Sequence, residues 1–126
     1  GAALRLCGAE TAQAAAVTPD SALFLPMLLQ SALLAPICEE LFFRGLFYAA
    51  LRKRGLNAAL TIIVTGVVFA GFHFEPVRLL VLLPTGLLLG WVRWKTGSTG
   101  ASMVAHGVVN APGAIVLRVG IPDMSP

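Results

Sequence analysis

Three ionisable side chains lie inside one of the most apolar stretches of the sequence: Glu39, Glu40 and Arg44. No charged residue occurs between Asp20 and Glu39, and none follows Arg44 until Arg52. Even on lenient insertion scales, a charge at the centre of a membrane helix costs about 2.5 to 3.5 kcal/mol, so such residues are functional candidates by default. This stretch therefore predicts a functional site.

The two acids are predicted to have different roles. Glu40 and Arg44 are four residues apart on one helical face, with the acid first, which is the order that favours an ion pair. Glu39 points about 100° away from Glu40 around the helix, so its carboxylate is left for chemistry. The alternative is that both acids only hold Arg44 in a polar network.

Two histidines and an asparagine on later apolar segments complete the candidate set. A histidine next to a carboxylate can share its proton, which suits general-base catalysis on water, and His73 is the natural partner for Glu39. His106 and Asn110 are four residues apart on one helical face and could donate hydrogen bonds to a carbonyl oxygen as charge develops on it. Taken alone, a histidine near a helix end is more often a core or interfacial residue.

A metal site is the competing use of the same groups. Glu39, His73 and His106 could hold a catalytic zinc ion with water in the fourth place, although the short His-Glu-x-x-His signature is absent and three segments would have to supply the ligands. A serine or cysteine nucleophile is disfavoured, because there is no Gly-x-Ser-x-Gly elbow and Cys38 has no histidine at obvious reach in the sequence.

The elements that must position these groups are predicted to be membrane helices. The chain has 126 residues, of which 57% are hydrophobic and 12% charged, with a mean hydropathy of +0.85. This composition predicts an all-α, polytopic transmembrane bundle with about four to five membrane helices. The net charge of +3 does not form a basic patch of the kind that binds nucleic acid. Five basic residues lie at the ends of apolar runs: Arg52, Lys53, Arg54, Arg93 and Lys95. The positive-inside bias predicts that they lie on the cytoplasmic side.

One domain is predicted. Residues 1–20 are interpreted as an N-terminal loop or truncated upstream helix of a longer protein, residues 21–120 as the membrane core, and residues 121–126 as a C-terminal tail. Pro36 is expected to kink or break the first helix just before the acids, and Pro112 with the glycine after it to interrupt the last one.

The next helix is predicted to run from Ala58 to Phe74, the following one to end at Trp94, and the last to begin at about Ala101. Counted from the basic side at about 1.5 Å per residue, the acids, both histidines and the asparagine then come to overlapping depths.

The ordered motifs Glu39-Glu40-x-x-x-Arg44, Phe69-x-x-x-His73 and His106-x-x-x-Asn110 resemble those of the CAAX protease and bacteriocin-processing family, also called the Abi family of intramembrane proteases. The resemblance covers roughly residues 25 to 115.

The resemblance implies an intramembrane endopeptidase. Glu39 with His73 would activate water, His106 with Asn110 would form the oxyanion site, and the supporting residues would be Glu40, Arg44 and Phe69. The family is described both as zinc-dependent, with Glu39, His73 and His106 as the metal ligands, and as a metal-independent glutamate type. We favour the second, because asparagine is a poor zinc ligand and a good oxyanion donor.

The implied partners are the lipid bilayer and a membrane-embedded or membrane-tethered protein or peptide substrate, without nucleic acid. The Ala, Gly and Val bias favours a bacterial cell membrane and, within the family, roles in bacteriocin processing. One alternative is a non-catalytic membrane protein of the same family that acts in bacteriocin immunity or as a scaffold. Another is a transporter with a proton relay, which predicts a repeat symmetry that the sequence lacks.

Overall fold

A computed structural model describes residues 24–119, and these residues form four helices without a β-strand. The first, α1, is continuous over residues 24–53, and the others are α2 (Ala58–Gly71), α3 (Leu79–Thr96) and α4 (Thr99–Val119). A 3₁₀ turn, Pro76–Arg78, precedes α3. The all-α prediction is confirmed for this part of the chain, whereas the predictions for residues 1–20 and 121–126 lie outside the described residues.

Helix α1 runs through Pro36, so the predicted break at this residue is wrong. Ala35, just before it, keeps right-handed helical angles (φ −62°, ψ −50°), and two π-helical turns, Gln30–Leu34 and Leu41–Phe47, lie on either side of the acidic pair. The N–H of Ala35 donates to the carbonyl of Gln30, five residues earlier. Proline has no N–H to continue this register, so the helix absorbs Pro36 at the end of a π turn instead of breaking.

The later helices differ from the prediction mainly at their ends. Helix α2 ends at Gly71, which places His73 in the turn after the helix, and α4 begins at Thr99, two residues before the predicted start. Helix α4 also continues through Pro112 to Val119, so the predicted interruption is wrong. A proline removes one backbone donor, and the turns on both sides of it preserve the helix here.

Helices α2 and α3 approach each other closely at two glycines. A Cβ atom on Gly86 would lie 2.8 Å from the carbonyl oxygen of Gly66, and one on Gly90 would lie 3.2 Å from the side chain of Ile62. Small residues at such a crossing let the two backbones come together, as is common between membrane helices. This contact brings the backbone of α3 within reach of side chains from α1.

The described helices bury polar side chains and expose large apolar ones. The polar and charged side chains in the interior are Glu40, Arg44, Thr61, Thr65, Ser102 and His106. Large exposed side chains include Leu80, Val77 and Phe74 around the start of α3, and leucines along α1. In a soluble domain the large apolar side chains fill the core, so this distribution favours an apolar surrounding.

Within residues 24–119, one helix is long and apolar enough to cross a membrane: Pro76–Thr96, with a mean hydropathy of 1.4 over its 18-residue window. Only 17% of that window is buried, whereas the core helix of a soluble protein is mostly buried. Helix α1 spans roughly 45 Å at 1.5 Å per residue, with Glu39 and Glu40 at its middle. The structure therefore supports membrane association.

Candidate active site

Glu40, Arg44 and His106 form a fully buried cluster that joins α1 to α4. Oε1 of Glu40 accepts hydrogen bonds from Nη1 of Arg44, at 2.8 Å, and from Nδ1 of His106, at 3.0 Å. The ion pair that the spacing of Glu40 and Arg44 predicts is therefore present. Its second donor, His106, comes from 66 residues further along the chain.

Arg44 also fixes this cluster to α2 and α3. Its Nη2 donates to the carbonyl oxygen of Gly86 at 2.8 Å, and its guanidinium carbon lies 4.6 Å from the ring centroid of Phe69. A cation over a desolvated aromatic face is stabilised by about 2 kcal/mol. Phe69, predicted as a supporting residue, is fully buried and packs edge-to-face on His106. Arg44 thus contacts helices α2 and α3, and Glu40, on the same helix as Arg44, binds His106 on α4.

Glu39 has a different environment from its neighbour. Its side chain is 30% exposed, and its Oε2 atom is buried but has no hydrogen-bond partner among the described residues. Nε2 of His106 lies 3.9 Å from Oε2, which is too long for a direct hydrogen bond. The partly exposed carboxylate lines the cavity wall, where a substrate or a water molecule can reach it.

His73 lies on the other side of Glu39, in the turn that follows α2. Its Nδ1 lies 2.9 Å from the carbonyl oxygen of Phe69 and donates to it, because a carbonyl oxygen can only accept. The neutral ring then carries no proton on Nε2, which remains an acceptor. No hydrogen bond joins Glu39 to His73 in the part of the chain that the structure describes.

A cavity of about 530 Å³ collects all four residues that the sequence predicts as catalytic. Its lining consists of Ser31, Glu39, Phe69, His73, Arg78, Val81, Leu82, Thr85, His106, Val109 and Asn110. A second, apolar cavity of about 430 Å³ shares Glu39 and His73 with it and is otherwise lined by Cys38, Phe42, Phe43 and Phe72. Glu39 and His73 thus line both cavities.

Asn110 is held by a backbone carbonyl of α1 five residues before Pro36. Its Nδ2 donates to the carbonyl oxygen of Ser31 at 2.9 Å. In a π turn each N–H donates to the carbonyl five residues earlier, so an N–H at position 36 would have donated to Ser31. Proline has no N–H, and the side chain of Asn110 donates to this carbonyl instead. One N–H of the Asn110 amide is used in this way, and the other is left for a ligand.

Residues 21–112 match the protein family described as Type II CAAX prenyl endopeptidase Rce1-like. The chain belongs to this family. The resemblance that the three motifs indicate is therefore confirmed, and the chain is a member of a protease family. Searches of curated proteins and of solved structures each find no match.

The donor set was compared with a zinc centre, since zinc is one of the two chemistries ascribed to this type of protease. Among residues 24–119, no group of three or more His, Cys, Asp or Glu side chains is placed to hold a metal ion. Nδ1 of His106 and Nδ1 of His73 are engaged by Glu40 and by a backbone carbonyl, which leaves the two Nε2 atoms. Histidines that ligate a metal commonly donate their other ring N–H in this way, so these hydrogen bonds are compatible with metal binding, but Glu39, His73 and His106 are not gathered into a metal site as placed.

Two features of this CAAX-type site are not evident from the sequence. The first is that Glu40 binds His106, and the second is that Arg44 binds the carbonyl of Gly86. Neither contact follows from local spacing, because the partners are separated by 66 and 42 residues. The only sequence signal is that Arg44 carries more donors than one carboxylate can accept.

Proposed function

We propose that this chain is an intramembrane endopeptidase that hydrolyses peptide bonds within or near the membrane, with Glu39 as the general base for water. The observation that carries the proposal is the convergence of Glu39, His73, His106 and Asn110 on one cavity, where the side chain of Glu39 is 30% exposed. Membership of a CAAX endopeptidase family is consistent with this activity.

Glu39 is a better candidate for the base than Glu40. Oε1 of Glu40 is occupied by two donors and its side chain is fully buried, whereas Glu39 lines both cavities and is partly exposed. A general base must come within hydrogen-bond distance of the proton that it removes. Only Glu39 meets this condition without breaking the buried ion pair.

In the first step, a water molecule in the cavity gives its proton to the carboxylate of Glu39 while its oxygen attacks the scissile carbonyl carbon. The C=O π bond becomes a C–O⁻ group, and the product is a tetrahedral intermediate. The second O–H of the water stays on the attacking oxygen and donates a hydrogen bond to Nε2 of His73, which orients the attack. Positioned acid–base groups of this kind contribute about 10²- to 10⁴-fold to the rate.

In the second step, the protonated Glu39 transfers its proton to the amide nitrogen, the C–N bond breaks, and a carboxylic acid and an amine leave. The remaining N–H of Asn110 donates to the oxyanion. Nε2 of His106 faces Oε2 of Glu39 at 3.9 Å and is placed to accept a hydrogen bond from the Glu39 carboxyl group while that group holds the proton. Removing a donor such as Asn110 from an oxyanion site costs about 10²- to 10³-fold in kcat.

We further propose that the four helices are membrane-embedded and that the substrate is a membrane-embedded or membrane-tethered protein. The apolar outer surface and the apolar second cavity beside Glu39 support this placement. On the positive-inside rule, the cytoplasmic side is the end that carries Arg52 to Arg54 on α1 and Arg93 with Lys95 on α3. A bacterial membrane and a role in bacteriocin processing belong to the same proposal.

The test is cleavage of a fluorogenic membrane-peptide library by the purified protein in detergent, with and without a strong chelator. Glu39→Gln, His73→Ala and Asn110→Ala are each expected to lose about 10²-fold or more in kcat/KM. Glu75→Gln is the matched control, since it makes the same chemical change at an exposed glutamate that does not itself line the main cavity.

Three outcomes decide the proposal. Loss in the three site variants, without loss on chelation, supports the glutamate-activated water. Chelator loss that zinc restores would replace this mechanism with a metal-dependent one. If the wild type cleaves nothing, or the Glu39 variant cleaves equally well, the chain is a non-catalytic member of its family, and the immunity or scaffold role is then the better reading.

A further inference from the structure

Glu40 is the residue through which the buried ion pair contacts the proposed catalytic groups. Its Oε1 accepts from Arg44 at 2.8 Å and from His106 Nδ1 at 3.0 Å, so the same oxygen is bound to a structural cation and to a histidine of the cavity. All three side chains are buried, so water does not compete for these bonds.

The bond from His106 to Glu40 determines which nitrogen of the ring faces Glu39. A carboxylate that pairs with arginine is ionised and can only accept, so Nδ1 of His106 carries a proton. Nε2 then faces Oε2 of Glu39 at 3.9 Å. A neutral ring with the opposite tautomer, or rotated about its Cβ–Cγ bond, would lose the buried hydrogen bond.

We infer that Glu40 is a positioning residue for His106: by accepting the Nδ1 proton it fixes the ring's tautomer and orientation, so that Nε2 is presented to Glu39 and to the substrate. The inference rests on the proposed function in so far as His106 acts on the substrate there. It gives Glu40 a second role besides stabilising α1, because the ion pair with Arg44 holds the carboxylate where His106 needs it.

The chain contains an internal comparison for this role. His73 also donates from Nδ1, but its acceptor is the backbone carbonyl of Phe69, which no side-chain substitution removes. Both histidines therefore share one tautomer, and only that of His106 depends on a replaceable side chain. The sequence contains two histidines in all, so ¹⁵N-histidine labelling of the whole protein gives two ring systems to assign.

The experiment compares two double variants that both remove the ion pair: Glu40→Gln with Arg44→Met, and Glu40→Met with Arg44→Met. Replacing a buried ion pair by uncharged side chains is often neutral for folding, so neither variant leaves an unpaired buried charge. The two differ only in whether residue 40 offers an oxygen to Nδ1 of His106. Ring tautomers are read by ¹⁵N NMR in detergent, and kcat is measured on the best library peptide.

The inference predicts that the glutamine variant keeps the Nδ1 proton of His106 and cleaves about 10²-fold faster than the methionine variant, as expected when a group is lost from a proton-transfer arrangement. The His73 signals should be the same in both. The inference is overturned if His106 has the same tautomer in both variants or if their kcat values agree. If even the wild type does not cleave, the proposed function fails, and the NMR comparison alone confirms or overturns the positioning role.

Discussion

Glu39 and Glu40 are neighbours in the sequence but lie in two different regions of the site. Glu40 is fully buried between Arg44 and His106, with two donors on one oxygen. Glu39 lies at the wall of two cavities and its side chain is 30% exposed, although both glutamates have an Oε2 atom without a hydrogen-bond partner among the described residues. A helix turns by about 100° per residue, so adjacent acids are directed to different surroundings.

This difference separates stability from reactivity within one dipeptide. A buried charge is tolerated only when it is paired and hydrogen-bonded, and Arg44 provides this for Glu40 while it also contacts α2 at Phe69 and α3 at the carbonyl of Gly86. An unpaired carboxylate contributes little to folding but is available to react. We therefore expect substitutions around Glu40 to lower the free energy of unfolding and substitutions around Glu39 to lower activity.

The largest expected effect comes from Arg44→Met as a single substitution. It leaves Glu40 as a buried carboxylate without a counter-charge, and breaking a buried pair in this way typically costs about 3 to 5 kcal/mol. Glu75→Gln breaks the exposed pair between Glu75 and Arg78, whose atoms lie 2.7 Å apart, and should cost no more than about 1 kcal/mol. Denaturant unfolding in detergent measures both, and equal losses would contradict the contrast between the buried and the exposed pair.

A smaller loss is expected from Gly86→Ala, which tests how Arg44 reaches α3. The new Cβ would lie 2.8 Å from the carbonyl oxygen of Gly66, so the two helices must separate and the Gly86 carbonyl moves from Arg44. Overpacking of this kind costs about 1 to 3 kcal/mol. Gly71→Ala is the control, because its Cβ would meet no atom within 4 Å. If the Gly86→Ala variant were as stable as Gly71→Ala, the close crossing of α2 and α3 would not be needed for stability.

On the Glu39 side, Asn110→Ala is expected to cost about 1 kcal/mol, the typical net value of one hydrogen bond. It removes the donor to the carbonyl of Ser31 and leaves the rest of the cavity wall in place. Val108→Ala, on the same helix at a residue 65% exposed, should change the free energy of unfolding by less than about 0.5 kcal/mol. A loss at Asn110 as large as that at Arg44 would mean that stability is not confined to the Glu40 side.

What the sequence could predict follows from how far apart the interacting residues are. The ion pair of Glu40 with Arg44 is found as the four-residue spacing predicts, and apolar run length locates α2 and α4 to within a few residues. The predicted break at Pro36 is wrong because it assumes that the carbonyl facing the proline, which receives no backbone N–H, is left without a donor. Here Asn110, 79 residues after Ser31, supplies the donor.

The contact between Glu40 and His106 is equally non-local. Counting depths along separate helices predicts that the acids and histidines meet, but it cannot say which acid meets which histidine, because that depends on helix rotation and on the Gly66–Gly86 crossing. The sequence pairs Glu39 with His73, whereas the shortest imidazole contact of either glutamate is the one from His106 to Glu40.

The smallest change in stability is expected from Glu39→Gln, and it gives the most direct comparison because Glu40→Gln makes the same chemical change one residue away. At Glu39 the side chain is partly exposed and forms no ion pair with an arginine or lysine among the described residues, so its neutralisation should change the free energy of unfolding by about 0.5 kcal/mol or less. At Glu40 the same substitution leaves the Arg44 cation buried without its counter-charge, with an expected loss of about 3 to 5 kcal/mol. Matched unfolding curves of the two variants in one detergent decide the point: similar losses at both positions would show that Glu39, too, is part of the structural ion-pair network, and that its carboxylate is not reserved for chemistry.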